Sequence, residues 1–465
     1  MLDKLRKVLA RKFVADTLAL QASGMLTQLS GFAASALLAF ALGAHGQGLF
    51  LMAVTLQALM FNLVNVGVIQ ATVSQVAAAS TRDKRAKLAD WLAFLVKTYL
   101  ITSTLMIGVG YFALPYLCEK VYGDQLALDE ARELGRWAWW LTFWIAIDTP
   151  RAVTQVAFHG TRRMKPLAQL DAAHELIRLA TTVGGVVITG SPAGAVLGEI
   201  ASRLLASYLA AHIYHAARAD GGAWLPGWRE IIVRVPGIPM RQGIRLGLRI
   251  GLIKNTTTLV ITVLPRMLLS GAAGFSWVAY FTIAQKILGV AGIAMQGVSR
   301  NTLPALAEMR GKHDFRGFRR LYWRTTLIGG GVVTAAILIG LALTPALLRL
   351  AYPEDYSDPV FTCCVILALG MIPASFAVAQ DPFYILTNRM RPNLVICLIG
   401  ALVTIPANLW LVRVLPLTGP VWGQTLYLAW VLVHFGYIAS YFRAADPARE
   451  WATPESAGGA SSASG

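Results

Sequence analysis

Long apolar runs, separated by short polar or glycine-rich stretches, recur along nearly the whole chain. Crossing the hydrocarbon layer takes about 20 largely apolar residues in helical form, because every backbone N–H and C=O must find its partner within the segment. The runs predict twelve such helices, over 17–42, 47–76, 91–114, 137–158, 167–189, 194–215, 247–269, 275–305, 325–349, 360–384, 393–413 and 419–441. The first follows a basic amphipathic stretch, Met1 to Lys12, and is too long for the apolar core of a cleaved signal peptide, so it reads as a retained span. Residues 452–465 are Ser-, Gly- and Ala-rich and poor in apolar side chains, which predicts disorder.

Composition agrees with that pattern: 56% of residues are hydrophobic, 14% are charged and the mean hydropathy is +0.57, which excludes an ordinary soluble domain. A net charge of +17 by itself suits a nucleic-acid partner, but the placement of the bases gives another account. Lys and Arg cluster at the amino terminus (Lys4, Arg6, Lys7, Arg11, Lys12), in alternate loops at 82–87, 162–165, 218–245, 310–324 and 389–391, and at Arg443 and Arg449. The intervening loops are neutral (43–48, 190–193, 270–274, 416–420) or acidic (119–133, 352–358). Short cytoplasmic loops retain Lys and Arg, so both termini are expected in the cytoplasm, with the basic loops against anionic lipid and no nucleic acid. Cys118, Cys363, Cys364 and Cys397 lack metal-ligand spacing, and neither a metal nor a cofactor is expected.

The chain is also a duplication. Gly43, Gly46, Gln57, Ala77, Arg82 and Thr98 each match the same residue type 228 positions on, at Gly271, Gly274, Gln285, Ala305, Arg310 and Thr326. Arg163-Met164-Lys165-Pro166 matches Arg389-Met390-Arg391-Pro392 at a shift of 226, and Gly194-x-x-x-Gly198-Glu199 matches Gly419-x-x-x-Gly423-Gln424 at 225. Six spans per copy is an even number, so the copies enter the membrane in the same sense and are related by an axis along its normal. The expected plan is an all-α polytopic membrane protein. A short amphipathic start (1–16) precedes a six-helix lobe (17–215), a cytoplasmic linker (216–246), a second lobe (247–441) and a tail (442–465). Trp224 and Trp228, flanked by bases, suggest that part of the linker lies on the membrane surface.

The run Leu38-Ala39-Phe40-Ala41-Leu42-Gly43-Ala44-His45-Gly46-Gln47-Gly48-Leu49-Phe50, the segment Gly67 to Thr72, the Arg-Met-Lys-Pro turn and the duplication together carry a likeness. The chain resembles the polysaccharide-transporter (Wzx-type flippase) branch of the MOP exporter superfamily. The resemblance implies a MATE-like fold and movement of a polyprenyl-pyrophosphate-linked oligosaccharide, of the undecaprenyl type, to the outer leaflet of a bacterial inner membrane. The setting it implies is O-antigen, capsule or exopolysaccharide assembly, with membrane lipids, a polysaccharide polymerase and chain-length proteins as partners.

An ionised side chain at mid-bilayer costs roughly 2.5–3.5 kcal/mol on insertion scales, so it is paired or faces a wet cavity. In the first lobe the spacing permits pairing on one helix face: Asp148 with Arg151, Glu175 with Arg178, Glu199 with Arg203. A substrate role for Arg151 and a structural pair both stand at this point. His174, Glu175, Glu199 and, in the second lobe, Asp381 are candidates for proton or ion coupling, with a hydrogen-bonded packing role as the alternative for His174.

Between Glu230 and Glu308 there is no Asp or Glu, yet the stretch holds Arg234, Arg241, Arg245, Arg249, Lys254, Arg266, Lys286 and Arg300. Cations at depth with no acid on their own helices call for an anion, and a pyrophosphate supplies charge and strong acceptor oxygens. Arg249, Lys254 and Lys286 are the first candidates to contact it, followed by Arg266, Arg300 and Arg151; acids of the facing lobe are the alternative partners. Gln21, Gln28, Gln57, Asn62 and Asn65 on the first two spans suit sugar hydroxyls, unless they bond between helices.

Alternating access of two lobes is the expected mechanism, and no bond-breaking chemistry is expected because the chain has neither a Walker-type loop nor a long extracytoplasmic segment for a polymerase or ligase. A multidrug exporter of the same superfamily calls for membrane acids on spans one and seven, where this chain has only Asp16 at an edge. A lipid II flippase calls, by resemblance, for two further carboxy-terminal helices.

Overall fold

A computed structural model describes residues 2–64, 67–79, 85–161, 163–219 and 225–444, without the side chains of 2–21, 249 and 296–301 and of scattered helix positions. Of the candidates above, Asn65 and the side chains of Gln21, Arg249 and Arg300 lie outside the described residues. Among those described, the chain is helical throughout, without a strand.

The first two predicted spans fall on one hydrogen-bonded run, α1 (Leu2–Val64), which continues after a break into α2 (Val68–Ala78). Gly43 divides α1: its φ of 65° and ψ of 178° lie outside the helical region, where a side chain is unwelcome. The reversal shows in Gln47, whose Nε2 donates to the Ser35 carbonyl at 2.8 Å, although twelve residues of straight helix would hold the two about 18 Å apart. Spans three to six correspond to α3 (Arg85–Tyr122), α4 (Leu128–Thr142) with α5 (Trp144–Gly160), α6 (Met164–Thr189) and α7 (Pro192–Ala219).

After the short linker helix α8 (Trp228–Arg234), the seventh span is broken into α9 (Arg241–Thr258), a π-helical turn at Leu259–Val263 and α10 (Leu264–Ala272). The eighth is α11 (Phe275–Gly289) with α12 (Ala291–Gly311), and the ninth is α13 (Phe315–Ala351). The last three are α14 (Ser357–Ser375) with α15 (Gln380–Leu386), α16 (Met390–Val414), and α17 (Gly419–Ala429) with α18 (Val431–Ala444).

Among the described residues, seven stretches are long and apolar enough to cross a membrane on composition alone. The other predicted spans are interrupted, as at α4/α5 and α11/α12, or carry internal charges, as in α6 and α7. The most apolar part of α13 is only 22% buried within the protein, and Phe112, Ile188 and Leu350 are 75%, 86% and 84% exposed. Such outward apolar faces are what lipid requires and water rejects.

Helices α1–α7 pack on one another, as do α10–α18, and the two bundles meet chiefly through α1 against α11 and α2 against α9. At the end that carries the neutral and acidic loops the bundles are sealed. Tyr122 sits edge-on to Phe275 at 5.4 Å and bonds Ser270 at 3.1 Å, Phe32 meets Tyr352 at 5.5 Å, and Tyr356 donates to Gln47 at 3.3 Å. Gly48 permits this closure, since a Cβ there would overlap the Phe275 carbonyl.

The described part of the linker docks on the first bundle rather than lying free. Arg85 pairs with Glu230 at 2.7 Å, Arg234 with Asp90 at 2.6 Å, and Lys97 donates to the Pro236 and Ile238 carbonyls at 2.9 Å. Trp228 packs against Tyr214 at 5.1 Å.

Candidate functional site

Polar side chains inside the first bundle come from α5, α6 and α7, and helix spacing alone brings them together. Arg151 is clasped by both oxygens of Asp148, at 2.6 and 2.7 Å, one turn away. Arg178 donates to Glu175 at 2.8 and 3.0 Å, and Arg203 donates to Glu199 at 3.1 Å. Arg178 also lies 3.9 Å from Glu199, which joins the two pairs across α6 and α7. His174 Nδ1 is 3.7 Å from Glu175, and Asp171 accepts from Gln155 at 2.6 Å. Each arginine here therefore has its own carboxylate, as buried charges require. Of the two readings of Arg151, the pair with Asp148 is the one this conformation shows, through both Nε and Nη2.

The second bundle differs. Arg266, in α10, lies at the inter-lobe contact. It donates to Thr55 Oγ1 at 3.4 Å and Gln285 Oε1 at 3.1 Å, while its Nε has no partner. Lys286 donates across the lobe boundary to the Gly31 carbonyl at 3.1 Å. Lys254 is exposed on α9. No carboxylate lies within ion-pair distance of any of these three among the described residues. Glu175 and Glu199, whose fields reach Lys286, are held by Arg178 and Arg203.

Between the bundles lies a cavity of about 360 Å³. It is lined by Gln57 and Asn62 from α1, Trp144 from α5, Glu199 and Arg203 from α7, and Lys254 from α9. Arg203 covers the Trp144 ring at 4.5 Å, and Phe61 meets the same ring edge-on at 5.8 Å. Asn255 donates to the Asn62 carbonyl at 2.8 Å, tying α9 to α1 at the cavity wall. A second cavity, of about 310 Å³, lies within the second bundle and has no Asp, Glu, Lys or Arg in its lining.

The structure thus brings Gln57, Asn62, Glu199 and Lys254 to one cavity, with Arg266 and Lys286 on the same inter-lobe boundary. Asn62 is partly committed, its amide donating to the Ala58 carbonyl at 2.8 Å. Gln28 lies beside Gly289 on the facing helix. Asp381 is exposed and makes no ion pair among the described residues. Trp144 and Gln285 were missed by sequence reasoning. For Gln285 a signal existed, since it is the repeat partner of Gln57; for an apolar-run Trp there was none.

Residues 13–310 match the family model described as polysaccharide biosynthesis protein. Stage V sporulation protein B of Bacillus subtilis (strain 168) is 26% identical over 202 residues, 41% of this chain and 38% of that protein, so the match spans well under half of the curated relative. Among solved structures, the inward-facing conformation of a multidrug resistance MATE family transporter of the MOP superfamily aligns with a TM-score of 0.66 at 16% identity, covering 92% of this chain and 95% of that one. A MOP superfamily transporter from Pyrococcus furiosus Vc1, described by the reversed polarity of its binding pocket, aligns at 0.59 and 16% identity over 93% and 95% of the two chains. These likenesses in fold are to transporters and not to enzymes. With its family model covering well over half of the sequence and its helices laid out as in those transporters, the chain belongs to the polysaccharide biosynthesis protein family and has the MOP-superfamily fold.

Proposed function

We propose that the protein is a flippase that moves a polyprenyl-pyrophosphate-linked oligosaccharide from the cytoplasmic to the outer leaflet of a bacterial inner membrane, for O-antigen, capsule or exopolysaccharide assembly. The observation that carries this reading is the pair Arg266 and Lys286, held at the inter-lobe boundary by neutral partners alone among the described residues, with Lys254 exposed in the adjoining cavity. Desolvated cations favour an anion over a carbonyl, because a charge-assisted hydrogen bond is roughly twice as strong as a neutral one. A pyrophosphate offers several acceptor oxygens to a lysine point charge and to the arginine fork at once. In the inter-lobe cavity a cationic drug finds no such welcome, since Glu199, the carboxylate in its lining, is already bound to Arg203.

In this reading the lobes 17–215 and 247–441 rock about the cleft, both termini stay in the cytoplasm, and the lipid tail remains in the bilayer. The sealed neutral end then makes the present conformation one whose cleft faces the cytoplasm. Outward movement of an anion is favoured by an interior-negative potential, by about 2.3 kcal/mol per charge per 100 mV. Of the coupling candidates, Glu175 and Glu199 are engaged in ion pairs and His174 lies against Glu175, which leaves Asp381 for a coupling cation. A polymerase and chain-length proteins consume the product.

The test is the double substitution Lys254→Gln/Lys286→Gln in the native cell. Surface glycan is expected to disappear and its lipid-linked precursor to accumulate on the inner leaflet, with protein abundance unchanged. Normal glycan would reject these residues as ligands.

A further inference from the structure

Between α8 and α10 the chain passes from one bundle to the other, and its contacts show where. Gly243, Gly247, Gly251 and Asn255 recur at every fourth position, so they lie along one face of α9. That face meets the first bundle. A Cβ on Gly243 would overlap the Phe94 ring of α3, and a Cβ on Gly67, which leads into α2, would come within 2.4–2.8 Å of the Gly247 carbonyl and the Gly251 backbone. Asn255 continues the line by donating to the Asn62 carbonyl at 2.8 Å. A glycine face of this kind lets two backbones touch with no side chain between them. Residues 228–240 dock on the same bundle, through Arg85–Glu230, Arg234–Asp90 and the two bonds from Lys97.

Beyond Asn255 the partners change. Thr257 Oγ1 lies 3.3 Å from the Tyr427 hydroxyl, and Val260 packs with Ala401 and Tyr427. α9 also touches α16, so both bundles bear on it, but its backbone-to-backbone contact is with the first. The contacts that cross back, Arg266 to Thr55 at 3.4 Å and Lys286 to the Gly31 carbonyl at 3.1 Å, are hydrogen bonds made by long side chains.

The π-helical turn at Leu259–Val263 stands where the partners change. Pro265, two residues further on, has no N–H to give to the Ile261 carbonyl four positions back. Gln285 Nε2 donates to that carbonyl instead, at 3.3 Å, and also to Gln424 Oε1 at 3.0 Å. Sharp bends in helices arise at prolines and π-turns, and this span has both. The duplication supplies an internal control: at the shift of 228, Pro265 falls on Leu37, and α1 keeps helical geometry until Gly43.

We propose that the seventh span is the hinge between the lobes: residues 228–255 move with the first bundle, residues from Leu264 onward move with the second, and Leu259–Val263 bends between them. Gln285 is the positioning residue that satisfies the carbonyl of the bend. The inference rests on the rocking of two lobes in the flippase reading and moves the mechanical boundary from the linker into the membrane. Lys254 then travels with the first bundle while Arg266 and Lys286 travel with the second, so the spacing of the three cations changes as the lobes rock.

The experiment uses the full chain in nanodiscs, with spin labels attached in pairs at Lys87→Cys in α3, Leu248→Cys in α9 and Val395→Cys in α16, all exposed positions. Distances are read by double electron–electron resonance. Gly48→Val, which wedges the outer seal, should change the Lys87–Val395 and Leu248–Val395 distances by about 5 Å or more, the scale of a one-turn movement, and leave Lys87–Leu248 as it was. A label at Leu248 that keeps its distance to Val395 and departs from Lys87 overturns the hinge and leaves the flippase reading standing. An unchanged Lys87–Val395 distance overturns the rocking on which both rest. Pro265→Leu, measured alone, needs no wedge: it returns an N–H to the helix and should shift Leu248–Val395 while Lys87–Leu248 stays put. An unchanged Leu248–Val395 distance in that variant overturns the bend.

Discussion

The two bundles share the residue matches of a sequence repeat, yet they handle charge in opposite ways. In the first, Arg151, Arg178 and Arg203 each have a carboxylate within 3.1 Å. In the second, Arg266 and Lys286 are held by Thr55, Gln285 and the Gly31 carbonyl. Paired charges are satisfied before any ligand arrives, whereas cations with neutral partners keep most of their attraction for an anion. The contrast teaches that in this fold the count of charges inside the membrane says little about binding. What matters is whether each charge already has its opposite.

The strongest way to break the comparison is to remove an acid from the paired side. Glu199→Gln strands Arg203 and weakens the hold on Arg178, and an unpaired buried charge costs about 3–5 kcal/mol. A marked fall in the thermal midpoint of the purified protein and in its abundance is expected. An unchanged midpoint would mean that the network is wet and dispensable.

Next in size is the seal. Gly48→Val places a side chain against the Phe275 carbonyl, so the neutral end should stay open. A Gln57→Cys reporter would then react with a membrane-impermeant maleimide added outside, while surface glycan is lost. The four native cysteines are buried and give little background.

A smaller effect follows from giving the second bundle an acid of its own. Gln285→Glu would neutralise Arg266 and turn it from an anion ligand into half of an ion pair. Surface glycan is expected to fall about tenfold, one charge-assisted bond's worth. If transport is unaffected, Arg266 is structural.

The smallest effect belongs to the linker. Arg234→Ala removes a contact with Asp90 whose side chains are 34% and 44% exposed, and such pairs contribute about 0–1 kcal/mol. Thermal stability and glycan should both stay near wild type. A large loss would show that the first bundle depends on the docking of α8 on α3.

Much of the architecture was readable before any coordinates. Helix placement followed the apolar runs, though not the breaks inside them, because hydrocarbon enforces internal hydrogen bonding over a fixed thickness. The pairs Asp148–Arg151, Glu175–Arg178 and Glu199–Arg203 followed from helical spacing, which is local. Less of the site was readable. Arg266 was legible as a cation without an acid on its own helix, but its contact with Thr55 on the other lobe depends on how α10 packs. Arg151 was weighed as a ligand, and only its bidentate geometry shows that it is spoken for. Trp144 gave no signal, since an indole in an apolar run looks the same whether it faces lipid, core or cavity.

By itself the sequence determined the spans, the duplication and the absence of acids between Glu230 and Glu308, because these depend on composition and short-range periodicity. Tertiary structure decided which polar groups are already matched. Lys286 finds a partner 255 residues away in Gly31, and Gln285 meets Gln424 while its repeat partner Gln57 meets a cavity. Hydrogen bonds between distant helices depend on how the bundles pack, and no local pattern along the chain encodes that packing.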